Sequence, residues 1–137
     1  MYKVIIIEDD PMVASINKQY VELTSSVHVE ATFKNGILAL QYLQNCTVDL
    51  IILDYYTPQM NGDEFIDQLH AAGMTPAIIM VTSANDAETV RRLISRGVTD
   101  YLVKPFEYDR FKAALERFAK RQEELKTSTS ASDLGQA

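Results

Sequence analysis

Val48-Asp49-Leu50-Ile51-Ile52-Leu53-Asp54-Tyr55 is a short apolar run that ends in a carboxylate. The consecutive branched residues Leu50 to Leu53 favour a strand that is buried on both faces, as strands of parallel sheets are. A charged Asp54 then has to leave the sheet at the carboxyl end of this strand. Open α/β sheets bind their ligands at that end. The stretch therefore predicts a parallel α/β sheet and marks Asp54 as the first candidate functional residue.

The rest of the chain alternates between short apolar runs and helical patterns. Four further runs predict strands, at residues 4–7, 27–33, 77–81 and 98–103. Apolar spacing predicts five helices, with these residues facing inward: Val13, Ile16, Tyr20 and Leu23; Ile37, Leu40 and Leu43; Phe65, Ile66 and Leu69; Val90, Leu93 and Ile94; Phe111, Leu115 and Phe118. The alternation predicts an α/β fold of the doubly wound (βα)5 kind, a three-layer sandwich with right-handed crossovers. The pattern leaves the strand order open.

Caps and glycines mark the helix boundaries. The signals are Asp10 before Pro11, Asn85 or Asp86, and the glycines Gly73 and Gly97. The last helix is expected to end near Leu125, before a stretch rich in Ser and Thr. We therefore expect one domain over residues 1–125 and a linker or disordered tail over residues 126–137.

Composition narrows the class of protein. The net charge of −6 argues against binding of nucleic acid by this chain itself, because phosphate contacts need clustered Lys and Arg. Cys46 is the single cysteine, which excludes a disulfide framework and suits a reducing compartment. The chain shows no signal peptide and no apolar run of membrane-spanning length. These features predict a cytoplasmic protein with no membrane partner.

Residues with reactive or ligand-binding side chains lie at the predicted strand ends. Glu8, Asp9, Asp54, Thr82 and Lys104 follow or close four strands, so a parallel sheet would bring them to one edge. Each close carboxylate pair would repel by about 4 kcal/mol at an effective dielectric constant near 20. Such a cluster needs a cation or the lysine to neutralise it. Oxygen ligands without His or Cys favour Mg²⁺. Singly, these residues are ordinary caps, turn residues or surface lysines; their coincidence at four strand ends favours a site.

Several common chemistries lack their residues here. The sequence has neither the Gly-x-x-x-x-Gly-Lys-Ser/Thr loop of nucleotide-binding proteins nor the Gly-x-Ser-x-Gly elbow of hydrolases. His28 and His70 lie away from the predicted strand ends, so a histidine-based triad has no support. What remains is a carboxylate nucleophile, Asp54, beside a divalent cation. A carboxylate can attack phosphorus to form an aspartyl phosphate.

At this point the chain resembles the receiver domain of bacterial two-component response regulators, over Lys3 to about Arg121. The resemblance rests on Ile-Ile-Glu-Asp-Asp-Pro after the first strand, Leu-Asp54, Met60-Asn61-Gly62, Val-Thr82-Ser and Tyr-Leu-Val-Lys104-Pro-Phe. It implies a flavodoxin-like parallel sheet with strand order 2-1-3-4-5. It also implies that the chain is not an enzyme, beyond catalysing its own phosphorylation and its own slow dephosphorylation.

The resemblance further implies a role for each site residue. Asp54 would accept a phosphoryl group from a sensor histidine kinase, with Mg²⁺ as the cofactor. The metal ligands would be Asp9, Asp54, the backbone carbonyl of Tyr56 and, through water, Glu8. Lys104 and Thr82 would contact the phosphoryl group, Thr82 and Tyr101 would form the switch pair, and the Lys104–Pro105 peptide bond would be cis.

Within this family, the chain resembles citrate- and dicarboxylate-responsive regulators, which act on transcription through a helix-turn-helix domain. DNA would then be contacted only through an output domain absent from this chain. A stand-alone receiver that relays phosphate or binds a protein target is the alternative. A Mg²⁺-dependent phosphohydrolase is disfavoured, because haloacid-dehalogenase-type enzymes place a second Asp where this chain has Tyr56. The mixed charges between Arg91 and Lys112 suggest a partner surface or a homodimer contact, or simply a solvated face.

Overall fold

The structure is a computed structural model that describes residues 1–83 and 87–136, with the backbone alone for 128–136. Strands and helices alternate strictly along these ranges. The elements are β1 (Tyr2–Ile7), α1 (Pro11–Glu22), β2 (Val27–Phe33), α2 (Gly36–Leu43), β3 (Leu50–Asp54), α3 (Gly62–Ala71), β4 (Ala77–Thr82), α4 (Ala87–Ser95), β5 (Asp100–Val103) and α5 (Tyr108–Gln136). The predicted alternation of strands and helices is confirmed.

The strands form one parallel sheet in the order β2-β1-β3-β4-β5. This is the order implied by the resemblance, and it puts β3 in the middle of the sheet. Leu50 and Ile52 pack with Phe111 of α5 on one face of the sheet. Ile51 and Leu53 join the second core on the other face, to which α2, α3 and α4 contribute. Burial of β3 on both faces and the three-layer architecture are thereby confirmed.

Several helices are rotated relative to the predicted inward faces. In α1, Ile16 is 40% exposed while Asn17 and Val21 are buried, and Leu23, the residue directly after the helix, is 67% exposed. The predicted stripe of α1 is therefore wrong at Ile16 and Leu23. Val21 packs into the core that contains α5, and this packing sets the helix rotation. Asn17 is polar, so a search for apolar periodicity could not have placed it inside.

The same error occurs in α2 and α4. Ile37 and Ile94 are exposed, whereas Ala39 and Leu93 are fully buried. In α2 the small residues Gly36 and Ala39 face inward. Small side chains let a helix backbone approach its neighbours closely, so the larger apolar residue next to them is left at the surface.

The helix ends follow backbone chemistry. Gly73 and Gly97 have φ of 74° and 90°, the left-handed conformation that favours glycine after a helix. The predicted cap at Asn85 or Asp86 lies outside the described residues. Helix α5 continues to Gln136, so its expected end near Leu125 is wrong. A helix can also serve as a linker, and the division into a domain and a linker stays a prediction. None of the helices over the described ranges could span a membrane.

Candidate functional site

The carboxyl ends of four strands meet at one edge of the sheet. Asp54 closes β3 and Thr82 closes β4, while Glu8 follows β1 directly and Lys104 follows β5. Because β1, β3, β4 and β5 are consecutive neighbours in the sheet, the four side chains surround one crevice. The edge predicted from the strand pattern therefore exists. His28 on β2 and His70 in the last turn of α3 are both exposed.

Three carboxylates gather in this crevice. One oxygen each of Glu8, Asp9 and Asp54 lies within 4.8 Å of the others. Glu8 is 4% exposed and Asp54 is 7% exposed, while Asp9 is exposed to solvent. A set of carboxylate oxygens with one open side suits a hard divalent ion that keeps part of its water shell.

Asp10 takes no part in this cluster. Its Oδ1 accepts hydrogen bonds from the backbone N–H groups of Met12 at 2.9 Å and Val13 at 3.4 Å. The prediction that Asp10 caps α1 is confirmed. Its carboxylate is therefore committed to the helix, while those of Glu8 and Asp9 line the crevice.

Lys104 neutralises part of this negative charge. Its Nζ donates to Glu8 Oε1 at 2.9 Å and to Asp54 Oδ2 at 3.4 Å. The ammonium group is thus held closer to Glu8 than to the candidate phosphoacceptor. Burial lowers the pKa of Lys104, but the hydrogen bond to Glu8 and the charge of Asp54 outweigh burial and raise it. The Lys104–Pro105 peptide bond is cis.

The surroundings of Glu8 in the crevice raise its pKa strongly. Burial raises its pKa to about 7, although the bonds from Lys104 and the backbone of Asp10 oppose this, and the nearby charge of Asp54 adds to it. The backbone bond runs from Asp10 N–H to Glu8 Oε2, at 3.1 Å. A cation in the crevice would therefore compete with a proton on Glu8 near neutral pH.

The residues around Asp54 are placed by the turn that follows β3. The backbone N–H of Tyr56 donates to Asp54 Oδ1 at 3.3 Å. The Tyr56 side chain is 56% exposed and its ring lies edge-on to that of Tyr55, with centroids 4.8 Å apart. Asp54 thus ends β3 directly before a turn whose second aromatic residue, Tyr56, lies at the solvent boundary.

The predicted switch residues lie on neighbouring strands. Thr82 is 1% exposed and pairs in the sheet register with Val103, two residues after Tyr101. Tyr101 is half-buried and belongs to the fringe of the core under α2, α3 and α4. The structure brings the two residues to adjacent strands; their motion on activation stays a prediction.

One polar cluster near the site was not predicted from the sequence. Tyr55, which follows Asp54, donates its hydroxyl to Asp63 of α3, and Arg92 of α4 bonds to both of these side chains. Arg92 lies 29 residues from Asp63 and 37 from Tyr55 along the chain. No local motif links such distant positions, so only the packed structure could reveal the cluster.

Comparison with known proteins identifies the family. The model of the response regulator receiver domain matches residues 4–116. The chain belongs to this family. The receiver fold is also seen in the response regulatory domain of protein mrkE from Klebsiella pneumoniae, with a TM-score of 0.81 and 24% identity over 89% of this chain and 98% of that one.

Curated relatives of this receiver are regulators. A Priestia megaterium protein named "Probable C4-dicarboxylate response regulator DctR" is 39% identical over 117 residues, covering 85% of this chain and 51% of its own length. "Transcriptional regulatory protein MalR" of Bacillus subtilis is 34% identical over 93% of this chain and 54% of its own length. The chain thus spans about half the length of these relatives. The predicted likeness to dicarboxylate-responsive regulators is confirmed.

Proposed function

We propose that this receiver is a phosphorylation-dependent signalling switch. Asp54 accepts a phosphoryl group from the phosphohistidine of a sensor histidine kinase, in a reaction that depends on Mg²⁺. The observation that carries the proposal is the convergence of Glu8, Asp9 and Asp54 within 4.8 Å, beside the ammonium group of Lys104. Membership of the receiver family supports the same chemistry.

The phosphoryl transfer uses the groups at the strand ends. A carboxylate oxygen of Asp54 attacks phosphorus, the P–N bond to the kinase histidine breaks, and an acyl phosphate forms. Asp9, Asp54, the Tyr56 carbonyl and, through water, Glu8 would hold Mg²⁺, which supplies positive charge to the phosphoryl oxygens. The chain thereby catalyses only its own phosphorylation and its own slow dephosphorylation.

Formation of the acyl phosphate then changes the polar contacts at the site. Lys104 leaves its position between Glu8 and Asp54 and contacts the new phosphoryl oxygens. Thr82 donates its hydroxyl to the phosphoryl group, and Tyr101 turns inward behind it. The two residues act as a two-state switch that biases β5 and the helix before it.

We further propose that the output is transcription, through a DNA-binding domain that this chain does not include. The names of the relatives support this role. A role in transcription would place the phosphoryl transfer in the cytoplasm, where bacterial DNA is located. Reading the gene beyond codon 137 tests the output. An in-frame helix-turn-helix domain supports it, and a stop codon directly after codon 137 contradicts it in favour of a stand-alone receiver.

A homodimer of the phosphorylated form is part of the same proposal, and light scattering with and without phosphorylation tests it.

The phosphoacceptor assignment can be tested without the kinase. Acetyl phosphate with Mg²⁺ is expected to add one phosphoryl group to the wild-type chain, measured by intact mass, and EDTA is expected to prevent the addition. Reduction of the acyl phosphate with borohydride and peptide mapping should locate it at Asp54. A second adduct of equal yield at another residue, or an adduct that forms in the presence of EDTA, contradicts the proposed site.

Tyr56 is expected to slow hydrolysis of the acyl phosphate. Its ring lies at the solvent boundary next to the turn that carries Asp54, where it can shield the phosphoryl group from water. The Tyr56→Asn variant should lose its phosphoryl group several-fold faster, as followed by intact mass after removal of acetyl phosphate. Tyr56→Phe keeps the ring and is the control. Equal decay rates in all three proteins would contradict shielding.

A further inference from the structure

A cluster of charged and polar side chains joins the turn after Asp54, Tyr55 and Tyr56, to helix α4; we name these two residues the phosphoacceptor turn. We name the cluster the Asp63 cluster; its members are Tyr55, Asp63, Asp67, Arg92 and Arg96. The Tyr55 hydroxyl donates to Asp63 Oδ2, and the guanidinium of Arg92 donates to the same oxygen at 2.9 Å and to the Tyr55 hydroxyl at 3.1 Å. Arg96 donates to Asp63 Oδ1 at 3.0 Å and also bonds to Asp67. Asp63 is therefore the centre of the cluster.

Tyr55 is held firmly beside the site. It is 8% exposed, and its backbone N–H donates to Val81 O at 2.9 Å, one residue before Thr82. Its carbonyl accepts from the N–H of Gly62, the first residue of α3, at 2.9 Å. A Cβ at Gly62 would lie 2.8 Å from Tyr55 Cδ2, so the ring packs directly on the backbone of α3. A displacement at the ends of β3 and β4 would therefore move this ring.

Helix α4 has little apolar anchorage of its own. Among residues Ala87–Ser95, Leu93 alone is fully buried, and Ile94 is 56% exposed. The side chain of Asp63 is 20% exposed; its partner Arg92, on α4, is 45% exposed, and its partner Arg96, directly after α4, is 24% exposed. Charge-assisted hydrogen bonds of this kind are stronger than neutral ones and geometrically specific. The Asp63 cluster thus ties α4 to α3 through Arg92, and the residue directly after α4 through Arg96.

The ionisation of Asp63 suits this role. Burial raises the pKa of Asp63, but hydrogen bonds from Arg92, Tyr55 and Arg96 outweigh burial and hold the pKa below its usual range. The carboxylate is therefore charged at neutral pH. Its Oδ2 accepts from Arg92 of α4 and from Tyr55 of the phosphoacceptor turn, and its Oδ1 accepts from Arg96, the residue directly after α4.

We propose that Asp63 is a positioning residue that ties the phosphoacceptor turn to α4 and holds α4 in the unphosphorylated arrangement. The inference rests on the proposed function, since it assigns a coupling path to that same site. Lys104 bonds to Glu8, as the proposed function expects of the unphosphorylated chain, and the bonds of the Asp63 cluster are present in the same structure. Contacts made in the resting state lower the population of the activated state. Removing them should favour activation.

The test compares variants by their affinity for beryllofluoride, which with Mg²⁺ mimics a phosphoryl group on a carboxylate. Asp63→Asn should bind beryllofluoride about fivefold or more tightly than the wild type, the scale of a typical coupling between sites. Tyr55→Phe removes only the hydroxyl and should act in the same direction. An ion pair with a merely structural role would lower the unfolding midpoint of these variants and leave the affinity unchanged. Unchanged or weaker binding in both variants would overturn the proposal.

Two matched controls separate coupling from general loss of charge. Asp67→Asn removes a carboxylate one turn later on α3 that bonds to Arg96, whereas the Tyr55 hydroxyl bonds to Asp63 and Arg92. Glu116→Gln breaks an exposed pair with Lys112 on α5. Both should bind beryllofluoride within twofold of the wild type. An effect of Asp67→Asn as large as that of Asp63→Asn would contradict the central role of Asp63.

Hydrogen exchange provides a readout that needs no phosphoryl analogue. Amides of α4 should exchange faster in Asp63→Asn, while those of the first turns of α5 should be unchanged. Unchanged exchange in α4 would contradict the hold on this helix. Failure of the wild type to bind beryllofluoride or to take up phosphate would instead refute the proposed function, so the two failures are distinguishable.

Discussion

The Asp54→Asn variant is expected to take up no phosphoryl group from acetyl phosphate and, without Mg²⁺, to be more stable than the wild type. The amide has no nucleophilic carboxylate, so the loss of the adduct should be complete. The gain in stability follows from the geometry, because one carboxylate oxygen of Asp54 lies within 4.8 Å of an oxygen of each of two other carboxylates, Glu8 and Asp9. One such pair costs about 4 kcal/mol at an effective dielectric constant near 20, and Lys104 offsets part of it. We expect the free energy of unfolding to rise by about 1–2 kcal/mol.

Intact mass and urea unfolding, each with and without Mg²⁺, measure the two effects. Mg²⁺ should stabilise the wild type and have little effect on Asp54→Asn, since the proposed metal site would lose one of its ligands. Asp10→Asn is the matched control, because Asn is an equally good cap and Asp10 lies outside the carboxylate cluster. This control should keep the adduct and change stability by less than about 0.5 kcal/mol. A stable Asp54→Asn variant that still accepts phosphate would refute the assignment of Asp54.

The affinity for Mg²⁺ is expected to depend steeply on pH because of Glu8. Its pKa is raised to about 7 in the folded chain, against 4.5 for an ordinary glutamate. The metal-free folded chain therefore binds more protons than the unfolded chain between these values. The contribution of Glu8 to stability falls as pH rises through this window. A bound cation requires the carboxylate, so it must displace the proton below pH 7. The affinity should rise by up to about tenfold per pH unit towards pH 7 and level off above it.

Isothermal titration calorimetry with Mg²⁺ at several pH values measures this dependence, and buffers of different ionisation enthalpy report the released proton. The Glu8→Gln variant should bind Mg²⁺ more weakly at pH 8 but lose most of the pH dependence between pH 5.5 and 7. Glu64→Gln changes a capping carboxylate of α3 outside the crevice and should titrate like the wild type. A wild-type affinity that is constant between pH 6 and 8 would show that Glu8 is already ionised.

The sequence predicted the structure best where a segment is fully buried. The run Leu50 to Leu53 is wholly apolar, and its alternate residues enter the two cores on opposite sides of the sheet. The helix rotations were less predictable. Ile16 and Ile94 fit an apolar stripe but are exposed, because Asn17, Val21 and Leu93 occupy the inward positions. The spacing of apolar residues shows that a segment is helical but indicates only roughly which face points inward. Packing against the sheet decides the rotation of the helix.

The sequence by itself determined the alternation of strands and helices, the cap at Asp10 and the placement of Asp54, Thr82 and Lys104 at strand ends. These features depend on neighbours within a few residues, or on the rule that parallel strands end at one edge. The tertiary structure decided that Lys104 pairs more closely with Glu8 than with Asp54, and that Asp63 meets Arg92. Such contacts join residues 29 to 96 positions apart, and they exist only when packed helices and strands hold both side chains in place.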